Sequence, residues 1–269
     1  MFLGDILDLP QAWSVRRIRA AHRAVWTRLE ELVQTHRVVF ARGNHDWWVD
    51  YAVHFPGAAC CAEVQLGEST LAWHGHQVDL FMNPARGVGR FQTYLHSLGE
   101  RLTGCRLVPP LERYDSWANR LVISAGVHWS RVLLARAGGL RAVGRIPRAL
   151  ELEASVRYFT RSVLGDPADL FGATDRTVLG KRFNTVVCGH SHFPGIIRTA
   201  RGLYVNTGSW TGGDGYCAEW PGERWKVLDV DTNRELGDEL FVALPSQTEP
   251  EDLFRWWSQH HKGMLRFEL

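Results

Sequence analysis

VVFARGNHDWWVD, residues 38–50, decides the fold. Val38 to Ala41 form an apolar run of strand type, and the run then gives way to Gly43-Asn44-His45-Asp46. Those four residues are poor strand formers and good ligands. Gly and Asn tolerate the backbone angles of a turn, so a plain loop is one reading. The other is a reaction centre presented at the carboxyl end of a strand, and the rest of the chain discriminates between them.

Three further apolar stretches end in the same manner. MFLGDILD closes on Gly4-Asp5 with Asp8 beyond it, STLAWHGH closes on His74-Gly75-His76 with Asp79 beyond it, and FNTVVCGHSH closes on Gly189-His190-Ser191-His192. Rigid strands that end in such residues can aim several side chains at one point, and glycine lets the backbones approach. One carboxylate, one carboxamide and several imidazoles make a mixed oxygen and nitrogen set. That set suits Mn, Fe or Zn better than Ca, and it lacks the thiolates of a structural zinc site.

Working outward, residues 11–35 place Trp13, Ile18, Ala21, Val25, Leu29 and Leu32 at three- and four-residue steps, which predicts one amphipathic helix. With the flanking apolar runs this is a strand, helix, strand unit of the parallel crossover type. Two short strands are expected within 59–74. The stretch 81–182 reads as mostly helical and Arg-rich, with Gly138-Gly139 and Pro147 as breakers. After it come β arms around the turn residues of GIIRTARGLYVNTGSW and ERWKVLDVDTNRELGDELFV. The expectation is a single α/β domain over 1–269, with a largely antiparallel second half and a helical cap inserted at 81–182.

Composition fits a soluble globular protein, with 45% hydrophobic and 22% charged residues, and a net charge of +2 favours no polyanionic partner. Five cysteines, at 60, 61, 105, 188 and 217, show no C-x-x-C spacing and suggest neither a disulfide frame nor a zinc ribbon. No signal peptide or bilayer-length apolar run is visible, so a cytoplasmic location is expected.

The order GD-x-x-D, GNHD, HGH, GHSH, followed by YVNTGSW, resembles the calcineurin-like metallophosphoesterases. The resemblance covers residues 1–80 and 183–215, and its layout is similar to the bacterial branch of UDP-2,3-diacylglucosamine pyrophosphohydrolases. It implies a two-sheet β sandwich flanked by helices, with two divalent metal ions at one rim. By resemblance Asp5 bridges the metals, Asn44, His74 and His190 complete the second, and His192 ligates the first. His45 would stabilise the phosphate transition state and protonate the leaving oxygen, with Asp46 orienting its ring. The metals would acidify a bound water into a hydroxide nucleophile. In HGH the family pattern favours the first histidine, which leaves His76 beside the ligands. Asp8 and Asp79 are expected to support loops or ligands by hydrogen bonds, and Asn206 to steady the loop beside the metals. Arg42 either touches substrate phosphate or is simply solvated.

Two departures qualify the resemblance. The family's Asp-x-His on the first strand is absent, and Met1 stands only four residues before Asp5, so a truncated start and an incomplete first metal site are expected. The pyrophosphohydrolases commonly carry arginine where this chain has His45. The expected substrate class therefore stays broad: a phosphomonoester, a phosphodiester or a nucleotide-sugar pyrophosphate, on a small molecule or a lipid. From 116 to 150 six arginines (120, 131, 136, 141, 145, 148) alternate with aliphatics and no acidic residue occurs. That pattern reads either as a solvated basic face or as peripheral contact with the inner face of a membrane. The alternative to a hydrolase is thus an impaired relative that binds a membrane surface or lipid phosphate. Nucleic acid is disfavoured because the basic bias is local.

Overall fold

A computed structural model describes residues 1–79, 87–104, 117–164, 174, 177–192, 194–210 and 215–236. Parts of the expected insertion (80–86, 105–116 and 165–173) and the end of the last β arm beyond 236 lie outside the described residues. Two compact units are formed, one by Met1–Arg101 with Leu170–Val242 and the other by Leu102–Asp169 with Ala243–Leu269. The helical stretch 81–182 is therefore divided between them.

The first unit is mixed α/β. Strands β1 (Phe2–Leu3), β2 (Val39–Ala41) and β3 (Ala59–Cys61) pair in parallel, in that order. Its helices are α1 (Leu9–Ala12), α2 (Val15–Ala21), α3 (Arg23–Thr35) and α4 (Tyr51–His54). An aromatic column holds them to the sheet. Phe40 stacks on Phe2 at 5.0 Å, on Tyr51 at 4.5 Å and on Phe55 at 5.3 Å, and Trp26 of α3 meets Phe55 at 4.6 Å. Such pairs contribute beyond their buried area, by roughly 0.5–1.5 kcal/mol each.

The single helix expected over 11–35 is broken. Trp13 adopts a left-handed backbone (φ 60°) and Ser14 an extended one, so the chain leaves α1 and re-enters at α2. Ser is a residue that favours helix starts over helix interiors. The break at His22 is only a kink, since His22 still donates to Ile18 O and accepts from Trp26 N, both at 2.9 Å.

The second sheet has five strands in the order β4-β5-β6-β8-β7, with β4 (Glu63–Leu66), β5 (Thr70–Trp73), β6 (Thr185–Cys188), β7 (Gly195–Thr199) and β8 (Gly202–Asn206). Residues 59–74 therefore carry three strands where two were expected. β5, β6 and β8 run parallel and are buried on both faces, as continuous apolar runs require. Leu71, Trp73, Val186, Cys188 and Tyr204 fill one face with Leu179 and Phe183. Ala72, Val187, Ile196 and Val205 fill the other, against Tyr216, Val227 and Leu236 of β9 (Tyr216–Glu219), β10 (Lys226–Asp229) and β11 (Arg234–Leu236). Those last three strands form an antiparallel third sheet, so the described strands make three sheets where two were expected.

α5 (Gly87–Thr103) belongs mainly to the first unit, where Glu100 is buried and accepts a hydrogen bond from Gln11 and Arg101 lies 4.1 Å over the Trp13 ring. In the second unit α6 (Trp117–Ala142) packs on α7 (Ile146–Leu164). Phe159 lies against Gly126, where an added Cβ would stand 1.9 Å from the ring, and Val127, Ala137, Ala149 and Val156 are buried. Gly138-Gly139 does not break α6, contrary to expectation, because packing of the helix outweighs about 1 kcal/mol of glycine penalty per site. The real stop is Gly144 (φ 73°), whose N–H donates to Arg141 O while Arg145 N–H donates to Leu140 O, a Schellman turn. Pro147 then sits in the first turn of α7, where its missing N–H costs nothing. No helix among the described residues is long and apolar enough to cross a membrane.

Candidate metal centre

Parallel pairing carries the strand tips to one edge. β1 and β2 end at Gly4-Asp5 and Arg42-Gly43, while β5 and β6 end at His74 and Gly189-His190. The amides of Gly189 and His190 both donate to His74 O at 3.0 Å, which clamps the second pair of tips backbone to backbone.

Glycine is needed where the first pair meets. A Cβ on Gly43 would lie 2.0 Å from Asp5 Oδ1 and 2.5 Å from Asp5 N. One on Gly4, itself at φ 91°, would lie 2.6 Å from His74 Cδ2 and 2.7 Å from Gly43 Cα. Asp5 adopts a left-handed backbone (φ 52°), as does His192 (φ 62°). Its Oδ1 accepts from His45 N at 2.8 Å and its Oδ2 lies 3.3 Å from His74 Nε2. Burial alone would raise the Asp5 pKa, but the neighbouring rings of His74 and His45 outweigh it and hold the carboxyl well below its usual range.

Asp5, His74 and His190 form a group whose ligand atoms all lie within 4.8 Å of one another and could hold a metal ion. Both imidazoles of the group have a further polar partner. His190 Nε2 lies 3.0 Å from Asp79 Oδ2, and His74 Nδ1 lies 3.0 Å from Nδ1 of the buried His76. His76 thus contacts a ligand, and burial with the neighbouring His74 pushes its pKa down to about 3. His192 stands outside the triad. Burial and His190 depress its pKa to about 3 as well, which keeps the ring neutral, the form in which imidazole binds a metal. Asn44, 2% exposed, sits between Gly43 and His45. Asn206 donates to Ser191 Oγ at 2.8 Å and accepts from Gly208 N at 2.9 Å, tying the GHSH loop to β8.

The sequence reading of Asp46 needs correction. His45 Nδ1 pairs with Asp8 Oδ1 at 3.0 Å, so Asp8 orients the ring. Asp46 is fully buried and spends its oxygens elsewhere, accepting from Ile6 N at 2.9 Å, Gly43 N at 2.6 Å and Tyr51 OH. It staples the Asp5 loop to the GNHD loop across forty positions of sequence. Tyr51, which sequence reading missed, carries no motif signal, and only the fold brings its hydroxyl to Asp46. The His45 ring is opposed by burial, but Asp5 and Asp8 overcome that and raise its pKa to about 9.

Compared with models of protein families and with curated proteins, the chain matches none. The site must therefore speak through its chemistry. An ionised carboxylate and two imidazoles whose ligand atoms lie within 4.8 Å of one another could hold a metal ion. The depressed pKa of Asp5 gives the group an ionised oxygen donor, with the neutral ring of His192 nearby.

Proposed function

We propose that the chain is a metal-dependent phosphoester hydrolase of the calcineurin-like kind. The observation that carries this reading is the convergence of Asp5, His74 and His190 within 4.8 Å, beside the His45–Asp8 pair. Asp5, His74 and His190, with Asn44, would hold one divalent ion, and Asp5 with His192 would serve a second. Such ions, Mn, Fe or Zn, neutralise phosphate oxygens and acidify water.

The chain's own residues do the rest. His45 has Nδ1 fixed by Asp8, which leaves Nε2 to meet the substrate. In the metal-free chain its pKa of about 9 keeps the ring protonated at neutral pH, and Asp8 faces Nδ1. As water adds to phosphorus and the ester P–O bond breaks, the leaving oxygen takes the Nε2 proton. Asp46 keeps the loop bearing His45 in register with Asp5.

Hydrolysis of p-nitrophenyl phosphate and of its bis-ester, with Mn²⁺ and after chelation, tests the reading. His45→Ala should lower the rate on the order of 10²–10⁴-fold while metal content is retained. A parent chain without metal-dependent hydrolysis would refute the proposal.

A second reading rests on the helical unit, where Trp129, Val132, Val143, Ile146 and Leu150 are exposed beside exposed Arg131, Arg136, Arg145 and Arg148. A surface combining basic and apolar groups would suit an anionic lipid headgroup layer. Flotation with anionic but not neutral vesicles, lost on Trp129→Ser and Arg136→Gln, supports it, and no flotation excludes it.

A further inference from the structure

A cavity of about 390 Å³ opens at the amino-terminal edge of the five-stranded sheet. It is lined on the sheet side by Thr185 at the start of β6, Arg198 at the end of β7 and Gly202 at the start of β8. The connection between β9 and β10 contributes Trp220, Glu223 and Trp225. The metal centre and half-buried Arg42 lie instead at the carboxyl ends of their strands. The two places are at opposite ends of β6, whose length alone separates them by roughly 10 Å.

Both sides of the cavity are held in place. Leu203 N–H donates to Asn184 O at 2.8 Å, and a Cβ on Gly202 (φ 146°) would stand 2.2 Å from that oxygen, so only glycine fits there. Thr199 Oγ1 accepts from Arg201 N at 3.1 Å and braces the turn between β7 and β8. On the other side Trp225 packs against the core of the sheet, and Trp220 lies against Trp225 with ring centroids 5.5 Å apart. Arg224 grips Glu235 of β11 through both guanidinium nitrogens, with Nη2 to Oε2 at 2.9 Å. A connection tied in this way is preformed, which lowers the ordering entropy that a ligand has to overcome.

The groups facing this cavity are not consumed by the fold. Trp220 is 53% exposed, and exposed Arg198 forms no ion pair among the described residues. Arg224 is already matched by Glu235, so Arg198 is the cation a ligand would meet, with the exposed carboxylate of Glu223 in the same lining. An exposed indole alone is ordinary. An indole, a carboxylate and an uncommitted guanidinium around one cavity form a set. Planar rings stack on indole, carboxylates accept from ribose hydroxyls, and guanidinium matches phosphate oxygens. A free phosphate would leave Trp220 unused, and a neutral sugar would leave Arg198 without an anion. We propose that this cavity is a second ligand site, taking a nucleoside monophosphate with its base on Trp220, its ribose on Glu223 and its phosphate on Arg198. The site needs neither the metal nor the hydrolase reading.

Calorimetric titration of the full chain in EDTA with adenosine, guanosine, cytidine and uridine 5′-monophosphate tests this. At least one should bind at one site per chain with a Kd below about 1 mM. Trp220→Ala should weaken that binding about five- to hundredfold, and Arg198→Gln about fivefold or more. Melting temperatures are measured on both. Arg198 is exposed and unpaired, so Arg198→Gln should melt with the parent and carries the test even if Trp220→Ala unfolds. Failure of all four nucleotides to bind overturns the inference, as does unchanged affinity in either folded variant. Binding that requires added Mn²⁺ also overturns it, because the nucleotide would then sit at the metal centre. None of these outcomes touches the hydrolase reading.

Discussion

Replacing Asp46 should cost more stability than replacing any metal ligand. Its carboxylate is fully buried and accepts from Ile6 N, Gly43 N and Tyr51 OH, with Leu7 N a longer contact at 3.4 Å. In Asp46→Ala three good donors lose their acceptor together. At roughly 1–3 kcal/mol per stranded buried group the loss is about 3–9 kcal/mol, a large share of an ordinary domain's stability. Asp46→Asn keeps one oxygen but turns an NH₂ toward a donor whichever way the amide faces. It also removes the like-charge repulsion that, together with burial, raises the Asp46 pKa. Its cost should be smaller, about 1–3 kcal/mol, and Tyr51→Phe, which removes one of the donors to Asp46, should cost about 1 kcal/mol. Urea unfolding of the metal-free chain measures all three, and the order Ala, Asn, Phe is the prediction. An Asp46→Ala loss below about 1 kcal/mol would refute the staple. A stability-neutral Asp46→Asn that instead shifts the pH profile of hydrolysis would restore the ring-orienting role.

Gly43→Ala places a methyl 2.0 Å from Asp5 Oδ1 and should weaken metal binding on the order of 10–100-fold, read by competition with a chromophoric chelator. Unchanged affinity would show that Asp5 does not need its observed position. In the metal-free chain His45 has a raised pKa, so its contribution is full below about 6.5 and is lost as pH climbs through about 9. His76 and His192, depressed to about 3, act in the opposite sense and remove stability as pH falls from about 6.5 toward 3. Thermal melts across pH should show both limbs, with only the alkaline one flattened in His45→Gln. In the helical unit Gly138→Ala and Gly139→Ala meet open space and should each stabilise by about 1 kcal/mol, whereas Gly144→Ala, at φ 73°, should destabilise by about 1 kcal/mol. Equal effects at the three positions would contradict the Schellman stop.

The strand tips were legible because each apolar run ends abruptly in ligand-type residues, and parallel pairing does bring Asp5, His74 and His190 together. The hairpin of β7 and β8 was equally plain from its Ala-Arg-Gly turn. The partner of His45 was not legible. Asp46 is its neighbour in sequence, while Asp8 is its neighbour in space, and the difference depends on the backbone direction after Gly43. The break at Trp13 was hidden for a similar reason: periodicity continues across it, and only Trp13's left-handed angle and Ser14's extended one end the helix. Gly138-Gly139 misled because a breaker's local cost is small beside the packing of α6 on α7.

The left-handed backbones at Asp5 and His192 bear on how such a chain would drift. Aspartate and histidine tolerate that conformation better than most side chains, but glycine adopts it without a Cβ penalty. A variant library sorted only for folded protein would enrich glycine at both positions, eroding the centre while the fold improves. A library sorted for metal retention would hold aspartate at 5 against that gradient.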